Sequence, residues 1–184
     1  MATRNSEDTR RRLLEAAAAE FAAYGIAGAR VDRIAAAAQC NKQAIYAYFG
    51  SKEALGDAVI DGLVEQIVES VPIDARDLPG YAVRLFDRCQ SHPDVMRLAM
   101  WYQLEGKPLP AAAVASTAHK IEAIRRAQAD GVVSERFSAE MMLLWVIALS
   151  RVGSPDSPEA KLGVLTVEAT REAIAAAVRR LVEP

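Results

Sequence analysis

Lys42, Gln43, Ala44 and Ala47 lie in one short stretch whose chemistry matches the edges of DNA bases. A glutamine amide can pair bidentately with adenine, a lysine ammonium can donate to guanine, and an alanine suits the thymine methyl. Arg10, Arg11, Arg30 and Arg33 are the cations that can reach neighbouring phosphates. Phosphate contacts hold register and supply salt-dependent affinity, while base contacts supply sequence choice. The run Arg10-Arg11-Arg12 reads equally well as a solvated face. Catalysis would need a positioned acid, base or nucleophile, and the chain offers two His and two unmatched Cys with no nucleophile or metal spacing. No enzymatic activity, cofactor or metal is expected. Cys40 reads as a small apolar residue packed in a turn rather than a redox switch.

Helices must carry these groups. Hydrophobic residues make up 52% of the 184, enough for a packed interior, and alanine dominates that share. Leu14, Ala17, Ala18 and Phe21 repeat at helical spacing, so a first helix runs from Ser6 or Thr9 to Tyr24, where Gly25 stops it. Val31, Ile34, Ala35 and Ala38 give a second, shorter helix. Asn41 is a good N-cap for a third helix through Phe49, and Ser51 for a long fourth helix towards Ser70. The second and third helices, joined by a few residues, form a helix-turn-helix, with Leu14, Phe21, Ile34, Ala38, Ile45 and Phe49 as its expected core. Later helices are expected at 80–91, 94–104, 110–129, 138–152 and 158–182, separated by His92-Pro93, Gly106-Lys107-Pro108, Asp130-Gly131 and Gly153-Ser154-Pro155. The chain is read as all-α with about nine helices, a DNA-binding domain at 1–55 and a ligand-binding and dimerisation domain at 56–184. The head holds eight Lys/Arg against six Asp/Glu, and the remainder 14 against 18, a small basic excess at one end.

The run Thr9-Arg10-x-x-Leu13-Leu14-x-Ala16-Ala17, then Phe21-x-x-x-Gly25, Val31-x-x-Ile34-Ala35-x-x-Ala38 and Tyr46-x-Tyr48-Phe49-x-Ser51-Lys52-Glu53-x-Leu55, resembles the DNA-binding head of the tetracycline-repressor (TetR/AcrR) family over residues 9–60. The resemblance implies that Tyr46 and Lys52 contact phosphates, and a His or aromatic is common where this chain has Tyr48. Lys52 also sits at a helix N-terminus, which itself attracts anions. Two departures stand out. Arg30 replaces the usual Ser or Thr cap of the second helix, and Gln39 replaces a Gly in the turn, where a positive φ is expected.

Met96, Met100, Trp101, Leu104, His119, Met142 and Trp145 are candidate ligand-pocket residues, because Met and aromatic side chains suit an adaptable cavity; plain core is the alternative. Leu162, Leu165, Ala169, Ala173, Ala176 and Leu181 form an Ala-rich stripe that permits close helix approach in a homodimer. The longest strongly apolar run, Met141 to Leu149, is too short for a bilayer, and no signal peptide is evident, so a cytoplasmic chain with no membrane partner is expected. The sequence reading is a ligand-responsive regulator, released from a palindromic double-stranded DNA operator by a small apolar or amphipathic effector. A helical protein adaptor and a transcriptional activator are the alternatives.

Overall fold

The computed structural model describes residues 2–154, 158–163 and 165–184, in which no strand occurs. Ten helical segments follow one another: α1 (Ala2–Gly28), α2 (Val31–Ala37), α3 (Lys42–Phe49), α4 (Lys52–Ser70), α5 (Leu78–Ser91), α6 (Pro93–Leu104), α7 (Ala111–Ala129), α8 (Ala139–Ser150), α9 (Pro158–Lys161) and α10 (Val167–Val182). α9 is a single turn, so the expected all-α chain of about nine helices is the observed one. None of the described helices is long and apolar enough to cross a membrane.

The chain folds as two compact units. The first comprises residues 1–66 and 94–110, the second 67–93 and 111–184. The first unit thus extends beyond residue 55 to residue 66 and takes in residues 94–110. Most of α4 packs with the head, and α6 joins it because Leu98 and Tyr102 are buried in the head's core.

In the first unit, Leu13, Ala17, Phe21, Ile34 and Ile45 are fully buried. Leu13, not the expected Leu14, heads the inward stripe of α1, because it shares the i, i+4, i+8 line of Ala17 and Phe21. Leu14 and Phe49 are only half-buried against this core, while Ala38 is buried as expected. The helical path of α1 breaks at Gly25, whose φ of 69° and ψ of 167° only glycine adopts easily. A methyl group at Gly25 would stand 3.1 Å from the Trp101 indole, so α6 closes over the kink. The Glu105 carboxylate accepts from the Ala27 N–H at 3.1 Å and fixes the last turn of α1. In the α2–α3 turn, Gln39 takes the left-handed conformation (φ 54°) where glycine is usual.

In the second unit, α5, α7, α8 and α10 bury Tyr81, Phe86, Ile124, Met142, Val146, Ile174 and Val178. Gln128 is buried and donates to the carbonyls of Ser134 (2.9 Å) and Phe137 (2.8 Å), closing the α7–α8 connection. The single helix expected at 158–182 is two. Gly163 takes φ 64°, and Thr166 starts α10 by accepting from the Ala169 N–H at 3.1 Å. Val164, inside that expected helix, and Pro155, in the expected break before it, lie outside the described residues.

Gly25→Ala is expected to lower unfolding stability by about 1–3 kcal/mol, through a positive φ and contact with Trp101. Denaturant unfolding followed by circular dichroism measures it, and an unchanged midpoint contradicts the role given to the kink.

Candidate nucleic-acid interface

α3 is only eight residues long, and one fully buried side chain, Ile45, sets which way it faces. With Ile45 turned inward, Lys42, Gln43, Tyr46, Ala47 and Tyr48 are exposed, and Ala44 is half-buried against the core. The Asn41 side chain accepts from the Ala44 N–H at 2.9 Å, which caps the helix as its residue type implies. Gly50 (φ 80°) ends it, and the Ser51 hydroxyl accepts from the Ala54 N–H at 3.0 Å to start α4.

The cations around this face are mostly held by the head itself. Lys42 Nζ lies 3.1 Å from Asp32 in the first turn of α2. Lys52, implied at a phosphate, donates to the carbonyls of Ala27 (3.1 Å) and Ala29 (3.4 Å), tying α4 to the α1–α2 turn. Arg11 is paired with Asp8 and Glu15. The Arg10 guanidinium lies over the Phe49 ring, 5.6 Å from its centroid, so the α1 start is linked to the end of α3. Tyr48 completes the same link by donating to the Ser6 hydroxyl at 3.0 Å. Tyr46 carries no such tether among the described residues and is 45% exposed.

Glu20 is the residue that sequence reasoning missed. Arg30 gives α2 no side-chain cap. Instead Glu20, from the middle of α1, accepts from the Arg30 N–H at 2.9 Å and from Arg33 Nε at 2.8 Å. The Arg33 guanidinium also lies 4.3 Å from the centre of the Tyr24 ring, so it is a structural cation more than a free phosphate ligand. Burial alone would raise the Glu20 pKa, but bonds from Arg33 and the Arg30 N–H, with both guanidinium charges, hold it below its ordinary 4.5. The only sequence signal was negative: a helix start with no cap of its own. Cys40 is half-buried against the head's core, the packing role expected of it.

The candidate pocket residues divide between the units. Met96, Met100, Trp101 and Leu104 belong to the first, where Met96 is half-buried and the other three are exposed, Leu104 by 75%. In the second, Met142 is fully buried core, Trp145 packs edge-on to Phe137 at 4.4 Å, and His119 is exposed. A cavity of about 480 Å³ in the second unit is lined instead by residues including Phe86, Gln90, Val152, Leu165 and Thr170. Of the candidate dimer residues, Ala169, Ala173 and Ala176 form one exposed face of α10, opposite the buried Thr170, Ile174 and Val178. Leu181 is half-buried against the core. Leu162 and Leu165 are off α10 altogether, in the break before it.

Residues 13–59 match the bacterial regulatory proteins of the tetR family, and residues 77–180 match the tetracyclin repressor-like C-terminal domain. The chain belongs to the TetR family. It is 38% identical over 191 residues to the HTH-type transcriptional repressor SCO4008 of Streptomyces coelicolor, covering all of both chains. The solved structure of SCO4942, from the same organism, has a TM-score of 0.86 and 37% identity, covering 95% of this chain and 98% of that one. NalD of Pseudomonas aeruginosa, the secondary repressor of the MexAB-OprM multidrug efflux pump, shares the fold at 18% identity, with a TM-score of 0.67 and 97% of each chain covered. The TetR assignment makes the helix-turn-helix of α2 and α3 the DNA-binding element of a transcriptional regulator.

Because the folded pKa of Glu20 is lowered, its contribution to stability is full above the unfolded value and is lost as pH falls through the folded one. The stability gap between wild type and Glu20→Gln is therefore expected to be constant above about pH 5 and to shrink below it. Urea titrations from neutral pH to about pH 3 measure this gap, and one that does not change with pH contradicts the cap.

Proposed function

We propose that two copies of this chain present their α3 helices to the half-sites of a palindromic operator as a repressor, and that a small effector bound by the body releases them. The outward face of α3, set by Ile45, carries the reading: Lys42 and Gln43 toward base edges, Tyr46 toward phosphate. One helix-turn-helix contacts little DNA, so tight binding calls for a dimer with half-sites about 34–36 Å apart or multiples of that spacing. The exposed Ala169, Ala173 and Ala176 of α10 and the exposed Met141, Leu144 and Ala148 of α8 are the surfaces we assign to that dimer. Each set is apolar, lies on one side of its helix, and is exposed in the protomer. The effector must prefer the DNA-incompetent arrangement, since equal affinity for both would shift nothing.

Selection of genomic fragments by the purified chain tests the DNA reading. Wild type is expected to enrich an inverted repeat, and Tyr46→Ala/Lys42→Ala to lose it, each side chain contributing about 1–3 kcal/mol. No enrichment by a folded wild type over a range of salt favours the protein-adaptor reading. Ala173→Glu, placing a charge on the α10 face, is expected to sediment as a monomer and to bind the operator at least tenfold more weakly. A variant that stays dimeric moves the interface elsewhere.

A further inference from the structure

α5 carries, on one flank, two polar groups that the fold does not satisfy. Tyr81 is 0% exposed, and its phenolic oxygen has no hydrogen-bond partner. Burial pushes that phenol up to about 12, so it stays a neutral hydroxyl. Arg88 follows at i+7, almost directly in line with Tyr81 along the helix. Its Nε and Nη2 are closed off from solvent without a partner among the described residues, and Nη1 lies 3.0 Å from Nε2 of His92. Nδ1 of His92 lies 2.8 Å from Ser91 Oγ, whose hydroxyl donates to the Asp87 carbonyl at 2.9 Å. No carboxylate is paired with the Arg88 guanidinium among the described residues.

Four acids of this unit are paired with other cations: Asp87 with Arg171, Asp77 with Arg84, Asp130 with Arg76, and Glu122 with Arg125 and Arg126. A second cation, Lys120 of α7, is also held half-buried with no acid beside it among the described residues. Leaving two closed-off guanidinium nitrogens and a buried hydroxyl without partners is costly in any fold. Groups kept at such a cost call for a partner outside the chain, which an ordered water or a bound ligand can supply.

We propose that the effector is an anionic, amphipathic carboxylate: its carboxylate takes Nε and Nη2 of Arg88, its apolar body lies along α5, and a second polar atom about 10 Å away bonds the Tyr81 hydroxyl. The proposal rests on the reading that the body takes an effector, and it names the chemistry of that ligand. Both groups are closed off from solvent here, so a bound carboxylate belongs to an arrangement with this flank open. That difference is what gives the ligand unequal affinity for the two arrangements.

The full chain is melted alone and with octanoate, 8-hydroxyoctanoate, 1-octanol or octylammonium, and its affinity for the selected operator is measured with each. Octanoate is expected to raise Tm and weaken operator binding, 8-hydroxyoctanoate to do so at lower concentration, and the alcohol and the ammonium to do neither. Arg88→Met and Tyr81→Phe carry the sharper readout. Each is expected to melt higher than wild type without ligand and to keep operator affinity. Arg88→Met should need at least tenfold more carboxylate for the same shift, whereas Tyr81→Phe should lose only the advantage of the hydroxy acid. A purely structural Arg88 gives the opposite sign, a lower Tm, and overturns the proposal, as does the absence of any shift with either carboxylate. Release of the operator by octylammonium alone overturns the anionic class while leaving the effector reading standing.

Discussion

Everything on the DNA-facing side follows from one buried side chain. An eight-residue helix cannot hold itself in water, because its few hydrogen bonds do not offset the cost of nucleation. α3 exists because Ile45 is fully buried in one core with Phe21 of α1 and Ile34 of α2. That single anchorage also fixes rotation about the helix axis. Once Ile45 points inward, the side chains at 42, 43, 46 and 47 must point out. The remaining contacts keep the frame from drifting: the Asn41 cap at one end, the Tyr48–Ser6 bond near the other, and Glu20 at the start of α2.

The same frame controls the charge of the face. Arg11, Arg33 and Lys42 are each held by a carboxylate, and Lys52 by two carbonyls. DNA binding by such a head exchanges partners instead of neutralising bare cations. This agrees with the small basic excess of residues 1–55 and places the selectivity in a few base contacts. In the body, Arg88 Nε and Nη2 are closed off from solvent with no hydrogen-bond partner among the described residues.

Local rules were legible in the sequence wherever a residue acts on its own neighbours. Gly25 breaks α1, Asn41 caps α3 and Ser51 caps α4, each by chemistry within a few residues. What could not be read acts across space. Glu20 caps a helix ten residues away, Leu98 and Tyr102 bring α6 into the head, and Trp101 closes on Gly25; none of these leaves a periodic trace. The split between α9 and α10 was hidden for another reason. Alanine-rich flanks keep helical periodicity running through Gly163, and a lone glycine costs too little to announce a stop. Met and aromatic stripes suggested a pocket, yet Met142 is core and Trp101 is a cover. Periodicity shows which residues share a face, not what that face meets.

The account stands on the outward face of α3 reading bases, and an altered-specificity selection tests that most directly. Gln43→Arg leaves Ile45, the Asn41 cap and every tether described here in place. Selected from the same genomic fragments as wild type, it is expected to change the preferred base at one symmetric position in each half-site, from adenine towards guanine, and to leave the others alone. Enrichment of the unchanged wild-type sequence would contradict the claim that this face carries the recognition.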